Sequence, residues 1–130
     1  MTLNKEMKIG LMLSVMIMAG CTQTNGLMTL TNQQNLAGKA RKLLMESTGS
    51  PSPLFRSHAI EALSETRQTS AVPYILEGLN DSYWGVRFSA CLAIMKIKET
   101  SAKPQWVKLV QTDPDKSVRA AAAGTLHVLG

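Results

Sequence analysis

Two acid–base pairs share one spacing: Asp81 and Arg87 stand six residues apart, and so do Asp113 and Arg119. A carboxylate near a guanidinium suggests an anion site or a tuned catalytic acid. The same pair suits a purely structural task, because an Asp near a helix N-terminus is favoured by the unpaired N–H groups there. The structural reading is preferred, since the other groups that chemistry requires are missing. No Gly-rich phosphate loop, nucleophile elbow or pair of catalytic carboxylates occurs. His58 and His127 lack carboxylate or Cys companions at ligand spacing, so no metal site is expected. Glu61 and Glu65, four residues apart, read as a solvated helix face. Neither a cofactor nor an enzymatic activity is expected.

The pairs must be positioned by helices. Val86, Ala90, Ala93, Ile94 and Ile97 fall at i, i+4, i+7, i+8 and i+11, one apolar stripe of a helix. Asp81 and Gly85 precede that stripe as turn residues. The pattern returns 32 residues later, where Asp113, Val118 and Arg119 lead into Ala122, Thr125, Leu126 and Leu129. A fainter copy lies 31 residues earlier, as Phe55 and Arg56 followed by Ala59, Ala62 and Leu63. Pro73 and Pro104, 31 residues apart, each fit the first turn of a shorter helix that precedes a striped one. A period near 31 with two helices per unit marks an α-solenoid. The expected fold is therefore all-α, a short solenoid of about three helical hairpins at residues 35–65, 71–98 and 102–130. The first opens with Leu36, Ala40, Leu43 and Leu44 at helical spacing, Asn35 as its N-cap and a break at 49–53. Cys91 has apolar equivalents, Ile60 and Ala123, and reads as a buried, packed thiol.

Pro early in the first helix, Asp in the turn, then Val-Arg and an Ala three residues on resemble HEAT repeats. They are most similar to the short HEAT-like repeats first noted in phycobilisome bilin lyases. The resemblance implies a structural role for Asp81, Arg87, Asp113 and Arg119. In such repeats the Asp caps the inner helix or bonds to an Arg of a neighbouring repeat, forming a ladder. Ser50 stands where the later units have Asp, so the ladder is expected to begin at the second unit. Repeats of this kind specify architecture well and function poorly.

The N-terminus carries a second resemblance. Lys5 and Lys8 precede an apolar run over residues 9–18, which is too short for the ~20 residues of a membrane span. It fits a secretory signal, starting at Met1 or Met7. Its ending, Met18-Ala19-Gly20-Cys21, resembles the lipobox of bacterial lipoproteins, with Met18 where that family usually has Leu. The resemblance implies cleavage before Cys21 and its acylation, palmitate included. It also implies a protein lipid-anchored at the bacterial cell envelope and facing the periplasm or exterior. Residues 1–20 are then signal peptide, 21–34 acylated Cys and flexible tether, and 35–130 the repeat domain.

Function is less legible. The chain of 130 residues carries +5, and residues 22–130 hold 12 basic and 8 acidic side chains without a basic run. Nucleic-acid binding is not expected, because the footprint of such proteins is a basic stripe. The side of the central helix opposite its stripe holds Trp84, Phe88, Leu92 and Met95. The matching positions of the first unit are Pro53, Ser57, Glu61 and Ser64, and of the third Lys116, Ala120, Gly124 and His127. Large apolar groups on this face of the middle unit alone make it the expected protein-partner site. The competing reading lets Phe88 and Leu92 lean into the space over Ala120 and Gly124 as core. The last helix is small and apolar on several sides, so either self-association or a partner is expected to cover the C-terminal end, or the chain is a shortened member of a longer family. The expected function is a membrane-anchored scaffold or adaptor. The alternative is an accessory subunit or enzyme of the bilin-lyase kind.

Overall fold

Prolines open three of the helices. Pro53, Pro73 and Pro104 each occupy the first or second position of a helix, where the missing N–H would have had no partner anyway. The computed structural model describes residues 30–130. The chain divides into two compact units, Met1–Lys39 and Ala40–Gly130. In the first unit, residues 30–39 are helical and exposed. Residues 30–34 are thus helix where composition reads a tether, and Asn35 lies inside helical backbone, not at its cap. Cys21 and the segment before it lie outside the described residues.

The second unit holds six helices. Residues 40–47 form its first (α1). Then follow α2 (Pro53–Thr66), α3 (Val72–Glu77), α4 (Trp84–Ile97), α5 (Lys103–Thr112) and α6 (Lys116–Leu129). One 3₁₀ turn leads into α3 and another, Gly78–Asn80, leaves it. α2 and α4 end on residues in the left-handed region, Arg67 at φ 49° and Lys98 at φ 57°. Among α2 to α6, only α6 has a side-chain N-cap. Asp115 accepts hydrogen bonds from the N–H groups of Ser117 and Val118, the usual work of an N-cap Asp.

The helices form three hairpins, α1–α2, α3–α4 and α5–α6, in a short HEAT-like solenoid. The longer helices α2, α4 and α6 pack in sequence, with α3 against α2 and α4, and α5 against α6. The core follows the stripes. Ile60, Leu63, Ile75, Leu79, Val86, Ile94 and Val118 are almost fully buried, each stabilising the fold by about 1.5–3 kcal/mol. Ile97 is half-buried at the end of its stripe. From α1 only Leu44 and Met45 reach the core. Leu43 remains 63% exposed and Phe55 63%, although Phe55 holds the place of the buried Val86 and Val118. Helical spacing gives a residue's side of its own helix, not whether another helix lies there.

Two features tighten the packing. A Cβ on Gly78 would stand 2.5 Å from Ile60 Cδ1 and 3.1 Å from Ala90 Cβ, so glycine lets α2 and α4 close on this turn. Trp106 is fully buried beneath α6. Its indole N–H has no hydrogen-bond partner among the described residues.

Candidate functional site

The repeated Asp–Arg pairs do not pair within their own repeats. Arg56 reaches forward from α2, its Nε and Nη2 donating to Asp81 Oδ2 and Oδ1, both at 2.7 Å. Arg87 does the same from α4, donating to Asp113 Oδ2 at 2.7 Å and Oδ1 at 2.9 Å. These are bidentate, charge-assisted bonds, the strongest kind of side-chain hydrogen bond. Each arginine also staples its own turn. Nη1 of Arg56 donates to the carbonyls of Ser50 and Pro51, and Nη1 of Arg87 to those of Asp81 and Ser82. Nη1 of Arg119 donates likewise to the carbonyls of Asp113 and Pro114.

The ladder therefore begins with Arg56 in the first repeat, not at the second. The first repeat lacks the Asp and still supplies the arginine of the first rung. The aspartates do not cap α4 and α6. Asp81 Oδ1 and Asp113 Oδ1 accept from the N–H groups of Tyr83 and Asp115, closing the turns. The guanidinium of Arg56 holds the Asp81 carboxyl below its ordinary pKa, and that of Arg87 does the same to Asp113. Every group of these rungs is occupied, which suits a structural role.

The other chemical candidates are engaged or isolated. Cys91 is fully buried, and burial pushes its thiol up to about 12, which makes it inert rather than nucleophilic. Glu61 and Glu65 are exposed, as their spacing suggests, and both also bond across to the next repeat. Ser89 Oγ donates to Glu61 at 2.8 Å, and Lys96 pairs with Glu65, so both tie α2 to α4. His58 and His127 are exposed. Among the described residues no three His, Cys, Asp or Glu side chains gather where they could hold a metal ion.

The face of α4 opposite its stripe differs in kind. Trp84 is 43% exposed and Leu92 38%, with Phe88 and Met95 half-buried between them. Tyr83, also exposed, adds a second ring whose centroid lies 5.9 Å from that of Trp84, tilted by 38°. A shallow groove of about 330 Å³ runs beside Trp84, lined by Ser82, Tyr83, Arg87, Pro114 and Asp115. On α6 the matching residues Ala120 and Gly124 are exposed, and a Cβ on Gly124 would meet nothing within 4 Å. Large apolar side chains thus stand in a row along α4, next to a shallow neighbour.

Residues 40–127 match the family model of HEAT repeats. No curated protein matches the chain at a significant level.

Proposed function

This chain belongs to the HEAT-repeat family, and we propose that it is a non-catalytic protein–protein interaction module, a scaffold or adaptor. The observation that carries the reading is the row Trp84, Phe88, Leu92 and Met95 on the middle repeat, large and apolar, with Trp84 and Leu92 exposed and Phe88 and Met95 half-buried between them. Apolar side chains gathered on a surface mark binding sites, and aromatic anchors supply most of the energy at such sites. The polar matching positions on α2 confine the contact to the middle of the solenoid. The direct test places a photocrosslinking residue at position 92 of the full chain, irradiates membranes of the producing cells and maps adducts by mass spectrometry. A discrete protein adduct is expected. Uniform, non-specific labelling would overturn the reading.

We further propose that the module is held at the bacterial cell envelope by an acylated Cys21. The support is the segment Met18-Ala19-Gly20-Cys21 behind a basic and then apolar start. Among the described residues no helix is long and apolar enough to cross a membrane. Each buried CH₂ of an acyl chain contributes about 0.8 kcal/mol, so two or more chains anchor stably. Cys21→Ser should move the protein from the membrane fraction to the soluble fraction. Retention of Cys21→Ser on membranes through a high-salt wash would contradict the anchor.

A further inference from the structure

Among the described residues the ladder has a third arginine in register and no third carboxylate. Arg119 Nη1 holds the carbonyls of Asp113 and Pro114 at 2.8 and 3.2 Å. Arg87 Nη1 holds the carbonyls of Asp81 and Ser82 at 2.8 and 3.1 Å, the same anchorage. In Arg56 and Arg87 that anchorage leaves Nε and Nη2 directed at the next repeat, where each receives an aspartate. Among the described residues, nothing accepts from Nε or Nη2 of Arg119.

The residues around it show the same opening. Arg119, Ala123 and Leu126 lie at i, i+4 and i+7 on one face of α6. Their equivalents on α2 and α4 are sealed: Ile60 is 1% exposed and Cys91 0%, while Ala123 is exposed. Leu63 and Ile94 are fully buried, while Leu126 is half-buried. What seals Ile60 is the following repeat, since Gly78 is the residue on which its Cδ1 rests. The α6 face therefore has the shape and the donors to receive another helix pair with an acidic turn.

We propose that this face docks a different protein, one whose Asp or Glu side chain accepts from Nε and Nη2 of Arg119 and completes a third rung. Charge complementarity selects that occupant over a second copy of this chain. A copy stacked head to tail would offer Ser50 at the matching place, a hydroxyl with no charge. The acidic groups of the α6 turn are already used, Asp113 by Arg87 and Asp115 as the helix cap. The inference stands on α6 and is independent of the α4 face.

The test places a photocrosslinking residue at Ala123 in the full chain, in the cells that make it, and maps the adduct. The expected adduct is a peptide of another protein that contains an acidic residue. Arg119→Gln should reduce it by at least about tenfold, the scale of losing one partner of a buried charge pair. Changing the mapped acid of the partner to its amide leaves this chain untouched and should reduce the adduct by a similar factor. Reversing both charges, Arg119→Asp here and acid to Arg there, should restore it. An adduct to a second copy of this chain or to another part of the same polypeptide, no adduct, or an adduct unaffected by both single changes would overturn the proposal.

Discussion

Asp113 has 2% of its side chain exposed and Arg87 has 11%, so the rung between them stands largely out of water. Removing one partner of such a pair leaves the other charge unsatisfied, whereas removing both leaves no orphan. Asp113→Asn should cost about 3 kcal/mol in a denaturant titration, and Arg87→Met in the same chain should recover part of that loss. The pH dependence has a definite sign. The folded Asp113 carboxyl lies below its ordinary value, chiefly through the hydrogen bonds from Arg87. Between the two pKa values the unfolded chain binds a proton that the folded chain does not, so stability falls as pH falls. The rung's contribution should be complete at neutral pH and decline from about pH 4 downward. Asp113→Asn should flatten that decline; an unchanged acid limb would contradict the assignment.

Gly78 is where two helices depend on one missing methyl. The added Cβ of Gly78→Ala meets the far end of Ile60 and the Cβ of Ala90. Overpacking a dense core costs about 1–3 kcal/mol, offset by up to about 1 kcal/mol of helical preference for Ala over Gly. A net loss of about 1–2 kcal/mol is expected, and Ile60→Val should recover part of it if the contact is the cause. Strict additivity of the two changes would show that the contact is not. Much at this scale was readable from sequence. The stripe led by Val86 located α4, and Pro73 and Pro104 located the shorter helices. The repeat period placed Asp81 and Asp113 in equivalent turns. The cross-repeat bond was legible only by family resemblance, because Asp and Arg six residues apart look like partners and are not. Ser50 in place of Asp concealed that Arg56 is the first rung. Glu61 and Glu65 are solvent-exposed as read, but their partners, Ser89 and Lys96, lie on another helix at a spacing that helical periodicity does not report. Gly78 carried no signal at all, since the requirement for a bare Cα arises only when α2 and α4 close on it.

At the scale of the repeat unit Ala40–Gly130, a filled interior is combined with two surfaces of different chemistry. The apolar row on α4 has no charge to satisfy, and the α6 face carries one donor fork in a setting of small residues. A binding row and a slack piece of core are separated by what its residues cost when removed. Trp84 and Leu92 are the most exposed members, so Trp84→Ser and Leu92→Ser discriminate best. The most direct measurement of the proposed function is the thermal midpoint of each variant beside its yield of partner adduct in membranes. The expected result is a stability loss under about 1 kcal/mol, a shift of no more than about 8 °C, with the adduct lost. A loss of about 2 kcal/mol or more, as for core truncation, with the adduct retained would contradict it.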